Sequence, residues 1–233
     1  MTLNLPSPIL YLITRGATTE TTTSDSEEFR DIVLQASAAV TAGIHLIQIR
    51  EKQLPAKILF ELARIVVATA RGSATQILIN DRADIAASAG ADGVHLTTTS
   101  VTADVIRRTF GAKFLIGAST HSLLGAREAF RQGADFAVFG PVFHSASKTK
   151  YGPPLGVGQL KDAARELTPF PLIALGGVSP GRVDECLLAG AAGVAGITLF
   201  SKPKDLAMTV EKIKDFAKVD RRRADPTWKS YQS

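Results

Sequence analysis

The sequence predicts a single-domain α/β fold, a (β/α)8 TIM barrel, on three observations. Eight short, almost wholly apolar runs alternate with eight helical segments, the pattern of a parallel sheet buried on both faces. A turn that closes a helix with glycine and opens a strand recurs as Ala42-Gly-Ile, Ala89-Gly-Ala-Asp-Gly, Gln132-Gly-Ala-Asp and Ala189-Gly-Ala-Ala-Gly. Glycine there supplies the left-handed conformation at a helix C-terminus. The 233 residues accommodate eight such units in one domain. An open doubly wound sheet is the alternative, and it lacks the expected Gly-x-Gly-x-x-Gly after its first strand.

The elements follow in order. Ile9-Leu-Tyr-Leu-Ile-Thr14 is a first strand entered from Pro8. The threonine-rich segment from Thr18 to Ser26 reads as a flexible loop, with Asp25 or Ser26 capping a helix that runs from Glu27 to Ala42. The second strand is Ile44 to Ile49. Helix Ala56–Ala70 leads to strand Gln76–Ile79, and a short helix Ala83–Ala89 leads to Val94–Leu96. Helix Ala103–Thr109 precedes strand Phe114–Ile116, and helix Leu123–Gln132 precedes Phe136–Phe139. Helix Val157–Leu167, strand Pro171–Leu175, helix Pro180–Leu188, strand Val194–Thr198 and a last helix Asp205–Val219 complete the barrel over residues 1–219. The polar remainder, 220–233, is expected to be a flexible tail, which Trp228 and Tyr231 could dock on the barrel or on a neighbouring subunit of a homo-oligomer.

Composition narrows the function. With 45% hydrophobic and 21% charged residues the chain reads as soluble and globular. No apolar run reaches the roughly 18–20 residues of a membrane span. The N-terminal segment lacks the basic and apolar regions of a secretory signal. The single Cys186 excludes an intramolecular disulfide, fits a reducing cytoplasm, and in its apolar helical context reads as a buried structural thiol. Net charge is +5, but part of the excess sits around Arg221-Arg-Arg223, and aromatics are only 6%. A nucleic-acid surface wants basic charge on a folded face with interleaved aromatics, so a small anionic molecule is the better partner.

Polar residues gather where barrel chemistry is found, at the C-terminal ends of the strands. The second strand runs into Gln48-Ile-Arg50-Glu51-Lys52, where alternation puts Gln48, Arg50 and Lys52 on one side. The third ends in Asn80-Asp81-Arg82 and the fifth in Ser119-Thr120-His121. The sixth feeds a loop, Gly140 to Gly156, that carries Ser145, Ser147, Lys148, Thr149 and Lys150. Such a loop cannot bury itself and suits closure over an anion. Arg50, Lys52, Arg82 and Lys148 form a cationic set able to neutralise a diphosphate. Gly176-Gly177 after the seventh strand, with Ser179-Pro180 opening the next helix, matches a backbone phosphate site. Of the four histidines, His45 and His95 read as structural or hydrogen-bonded and His144 as solvent-facing, which leaves His121 for proton transfer. Asp81 is the best placed carboxylate for magnesium.

Gln48-Ile-Arg-Glu-Lys52, Ile79-Asn-Asp-Arg82, Gly93-Val-His-Leu96, Ser119-Thr-His121, Gly140-Pro-Val-Phe143 with Ser147-Lys148, and Gly176-Gly177 together resemble the thiamine phosphate synthase family. They occur in the family's order across about residues 9 to 200. The wider superfamily also holds thiazole tautomerases. The resemblance implies coupling of hydroxymethylpyrimidine diphosphate with a thiazole phosphate, pyrophosphate leaving first and the thiazole nitrogen then capturing the pyrimidine cation. It implies that Gln48, Arg50, Lys52, Asn80 and Lys148 hold the diphosphate, that Asp81 holds Mg2+ and that Ser119 sits beside the reacting centre. Ser145 and Ser147 stand where substrate-contacting threonines are usual. Gly177, Ile197 and Thr198 match positions that receive the thiazole phosphate. One departure matters: Ser100 occupies the place of the family's second magnesium aspartate. Tautomerase-like members also lack that aspartate and use a histidine at the position of His121, so tautomerase is the alternative activity. Phosphate-ligand binding without catalysis is a third.

Overall fold

Every strand residue is buried except Gln76 and Ser119, which are half-buried. Runs this apolar have no solvent face to offer, so they close on themselves. A computed structural model describes residues 5–144 and 153–224, with 217–224 described by backbone alone. In it β1 (Ile9–Ile13), β2 (Leu46–Ile49), β3 (Gln76–Asn80), β4 (Gly93–Leu96), β5 (Leu115–Thr120), β6 (Phe136–Phe139), β7 (Leu172–Ala174) and β8 (Gly193–Gly196) form a closed barrel in sequence order. All neighbours are parallel, and Ile9 pairing with Gly193 closes the ring. The helices are α1 (Glu27–Ala42), α2 (Ala56–Ala70), α3 (Ala83–Ala89), α4 (Ala103–Phe110), α5 (Leu123–Arg131), α6 (Gly156–Leu167), α7 (Val183–Leu188) and α8 (Leu206–Ala224).

Alternation along the strands sorts the core in two. Ile9, Tyr11, Ile13, Leu46, Leu78, Leu115, Phe136, Val138, Ile173 and Ala195 fill the barrel interior. Their sequence neighbours point outward into the layer beneath the helices, where α2 contributes Leu59, Leu62, Ala63 and Val66. Cys186 is buried in α7, as expected, and burial pushes its thiol up to about 12.

The recurring helix-to-strand turn has the expected glycine at each return, with φ of 75° at Gly43, 74° at Gly90, 85° at Gly133 and 90° at Gly190. Two of the repeats carry a further device. Asp92 Oδ2 accepts the Ile77 N–H at 2.7 Å and Asp135 Oδ2 accepts the Ile116 N–H at 2.7 Å. Each aspartate thus satisfies a strand amide one unit back along the barrel.

Several expectations need correction. β5 runs on to Thr120 rather than stopping at Ile116, because the small residues Gly117, Ala118 and Ser119 continue the ladder against β6. Ser26 caps α1 without a side-chain bond to the helix; its hydroxyl accepts the Thr23 N–H at 2.9 Å instead. The segment from Thr18 to Ser26 is not a free loop: Thr18 and Thr22 are buried and hydrogen-bonded. The segment after Ser179 is a 3-10 turn, Pro180–Arg182, followed by a six-residue α7. α8 continues past Val219 to Ala224, and Trp228 and Tyr231 lie outside the described residues.

Candidate active site

Four polar side chains project into the barrel at the C-terminal ends of adjacent strands. Gln48 lies beside Leu78, Asn80 beside His95, His95 beside Gly117, and Ser119 beside Val138. Partners in a parallel ladder share a face, and Leu78 and Val138 belong to the interior. Alternation therefore brings Gln48, Asn80, His95 and Ser119 to one rim. Ser119 is the member of this set least covered by the strands.

His95 is bonded at both ring nitrogens: Tyr11 Oη is 3.0 Å from Nδ1, and Ser119 Oγ is 2.9 Å from Nε2. Burial, and secondly the charge of Arg50, lower its pKa from 6.5 to about 3, so it is neutral near pH 7. Burial raises the Tyr11 phenol well above its ordinary value. Composition gives no hint that Tyr11 belongs to the site. The available signal is its parity with Ile13 on β1 and the parity of His95 with Gly93 on β4.

Gln48 carries the clearest mark of a missing ligand. It is 1% exposed, and its Nε2 has no hydrogen-bond partner among the described residues. A buried amide donor left without an acceptor costs about 1–3 kcal/mol, which a bound acceptor would recover. Arg50 stands just beyond the end of β2 and makes no ion pair among the described residues. Lys52 departs from expectation: β2 ends at Ile49, so strand alternation does not reach Lys52, which is exposed on the following turn.

Sequence reasoning missed Glu51. Its buried carboxylate accepts the Thr14 hydroxyl at 2.6 Å, the Gly16 N–H at 3.0 Å, and the Thr18 hydroxyl and N–H at 2.7 and 3.2 Å. Thr14 Oγ1 in turn accepts the Arg50 N–H at 2.8 Å. Glu51 therefore turns away from the barrel axis and staples the β1–α1 connection to the base of Arg50.

The third strand end divides its charges. Asp81 is exposed at φ 65°, a left-handed conformation found at no other non-glycine among the described residues. Arg82 is drawn off into a bidentate pair with Asp84, at 2.9 and 2.6 Å, which removes it from the expected cationic set. Ser100 Oγ accepts the Thr97 N–H at 2.7 Å and lies 2.9 Å from Thr97 Oγ1, so it closes its own loop. Among the described residues no group of three or more His, Cys, Asp or Glu could hold a metal. Of the expected ligand positions, Asp81 offers the one carboxylate, and Ser100 is engaged with Thr97. A single carboxylate suits Mg2+ only where phosphate oxygens and water supply its remaining ligands, and it does not make a caged metal site.

His121 is exposed, and its Nδ1 bonds the Gly140 carbonyl. It borders a 340 Å3 cavity between the β4–α4 and β5–α5 connections that is also lined by Thr97, Ser100, Ser119 and Ser122. His45 Nδ1 accepts the Leu10 N–H at 3.0 Å, a structural bond as expected.

Ser145, Ser147 and Lys148 lie outside the described residues, but both ends of their loop are fixed. On the way out, the Val142 and Phe143 amides donate to Leu175 O at 2.8 Å and Gly176 O at 2.9 Å. On the way back, the Leu155 and Gly156 amides donate to Pro141 O at 2.8 Å and Val142 O at 3.0 Å. Gly176 and Gly177 have φ of 94° and 64°, and a Cβ would lie 2.6 Å from Pro141 Cα or from His144 O respectively. The two glycines thus make room for this loop stem, a structural reason that the phosphate expectation did not contain. Arg182 stacks over the Phe143 ring at 4.7 Å. After β8, Ile197 packs on the interior cluster and Thr198 is exposed beyond it.

A closed parallel barrel with its polar groups at one rim, and a buried donor awaiting an acceptor, defines a (β/α)8-barrel enzyme of the small-molecule class. More particularly, the chain belongs to the thiamine monophosphate synthase family, whose family model matches residues 10–200. It is 46% identical over 169 residues to a Geobacter sulfurreducens protein provisionally named a thiamine-phosphate synthase, covering 72% of this chain and 79% of that one. It is 43% identical over 188 residues to the thiamine-phosphate synthase of Anaeromyxobacter dehalogenans, covering 81% and 78%. Among solved structures it is similar to thiamine phosphate pyrophosphorylase from Pyrococcus furiosus, with a TM-score of 0.71 and 26% identity over 88% of this chain and 96% of that one. Among the described residues no helix is long and apolar enough to cross a membrane.

Proposed function

We propose that this chain couples hydroxymethylpyrimidine diphosphate to thiazole phosphate, giving thiamine phosphate and pyrophosphate. The observation that carries the reading is the unpartnered Gln48 amide, buried at the rim beside Arg50. A donor and a cation together suit a diphosphate, whose charge grows as its bond to the pyrimidine carbon breaks. Donors aimed at such developing charge are where barrel enzymes of this kind gain rate. Gln48, Arg50, Lys52, Asn80 and Lys148 are assigned to the diphosphate, and Ser145 and Ser147 to the same substrate. Ser119 is placed beside the reacting carbon, and Gly177, Ile197 and Thr198 receive the thiazole phosphate. Asp81 would hold Mg2+ together with the substrate's phosphates, and the ion would add positive charge against the leaving group.

The test is product formation from the two phosphorylated substrates, followed by chromatography. Thiamine phosphate is expected, and Gln48→Ala is expected to lower kcat by roughly 100-fold, the scale of losing one charge-stabilising donor. A second reading, tautomerisation of the thiazole carboxylate phosphate, draws on His121, whose Nδ1 bonds the Gly140 carbonyl at the edge of the 340 Å3 cavity. Aromatisation without Mg2+, lost in His121→Ala, would identify that activity. Its appearance with no thiamine phosphate formed would overturn the coupling assignment.

A further inference from the structure

The barrel interior holds a hydrogen-bonded chain in which two members, Tyr11 and His95, have no assigned role. It runs from Ser119 Oγ to His95 Nε2 at 2.9 Å, and from His95 Nδ1 to Tyr11 Oη at 3.0 Å. Tyr11 is 0% exposed and His95 2% exposed. Of the three, Ser119 alone is half-buried, the other two being fully covered.

The direction of these bonds follows from what each group needs. A buried hydroxyl hydrogen with no acceptor is strongly unfavourable. Among the described residues His95 Nδ1 is the hydrogen-bond partner of the Tyr11 hydroxyl. The phenol therefore donates and Nδ1 accepts. A neutral imidazole has one N–H, which this leaves on Nε2, pointing at Ser119 Oγ. Ser119 accepts that bond, so its own hydrogen is left to be donated to an acceptor other than His95.

Packing holds the chain in register. Phe136 meets Tyr11 edge-on, centroids 5.7 Å apart and planes at 82°. β5 presents no side chain at Gly117, where a Cβ would lie 2.4 Å from Phe136 Cζ and 2.7 Å from His95 Nδ1. The imidazole is thus enclosed on the β5 side by backbone, with the Phe136 ring centroid 6.1 Å from its own.

We propose that Tyr11 and His95 are positioning residues that fix the Nε2–H tautomer of His95, and so direct the Ser119 hydroxyl hydrogen at an acceptor atom of the pyrimidine diphosphate. The identity of that substrate rests on the coupling reading; the tautomer does not. Ser119 then selects for a substrate that presents a lone pair at this point and against one that presents a hydrogen.

Nitrogen-resolved NMR on histidine-labelled protein reads the tautomer directly, with the His95 signals assigned by their loss in His95→Gln. A proton on Nε2 is expected, and a proton on Nδ1 overturns the proposal. In the coupling assay, Tyr11→Phe should lower kcat about tenfold with KM for thiazole phosphate unchanged, and should cost nothing further in a Ser119→Ala background. An equal loss in both backgrounds, or an unchanged kcat, overturns it, since Tyr11 would then support the barrel without acting through Ser119. Wild-type protein that forms no thiamine phosphate would instead overturn the coupling reading, and the NMR result would still decide the tautomer.

Discussion

His95 shows how one buried ring links stability to the site. Its pKa falls from 6.5 to about 3 through burial and then through Arg50, and burial followed by Lys214 lowers that of His45 as well. A group whose folded pKa is depressed in this way stays neutral while the unfolded chain takes up its proton. Below about pH 6.5 the unfolded state therefore binds more protons, and stability falls with falling pH by at most about 1.4 kcal/mol per pH unit for each such histidine. Urea unfolding between pH 7 and pH 4 should show this slope, and His95→Gln should remove one histidine's share. An unchanged slope in the variant would place the pH dependence elsewhere. The residues that chemistry marks on their own, such as Gln48, Asn80 and Ser119, were legible in the sequence. Tyr11 and Glu51 were not, because their roles depend on which groups a neighbouring strand or loop brings to them. Arg82 was misread for the same reason: a carboxylate two residues on, Asp84, claims it in bidentate geometry.

At the level of elements, the most legible feature was the repeated glycine turn, because a helix C-terminus in the left-handed conformation is set by local backbone chemistry. What the pattern could not reveal was the use of the following aspartate. Asp92 and Asp135 each reach across to a strand amide, and Asp135 also receives Arg107 at 2.8 Å. Asp92→Ala leaves the Ile77 N–H without its partner and should cost about 1–3 kcal/mol in urea unfolding. A loss below a few tenths would mean that water replaces the carboxylate there. Among the misplaced boundaries were those of β5 and the segment after Ser179. Small and polar residues extend β5, and a proline opens the other as a 3-10 turn. In β5 the ladder against β6 overrode local propensity.

For the whole molecule, closure of eight parallel strands puts every strand's C-terminal end at one mouth, so residues far apart in sequence meet there without any long loop. The loop carrying Ser145, Ser147 and Lys148 is tied at both ends to the β6–β7 stem, beside that mouth. On the proposed coupling reading, Ser100 stands where a second carboxylate would serve, and more of the leaving-group charge falls to Arg50 and Lys148. The most direct measurement is the rate of pyrophosphate release from the two substrates over a range of Mg2+ concentrations, for the wild type and Lys148→Ala. The expected result is one pyrophosphate released per thiamine phosphate formed, with kcat in Lys148→Ala lowered by about 100-fold and thiazole phosphate binding little changed. No pyrophosphate release at any Mg2+ concentration would contradict the account.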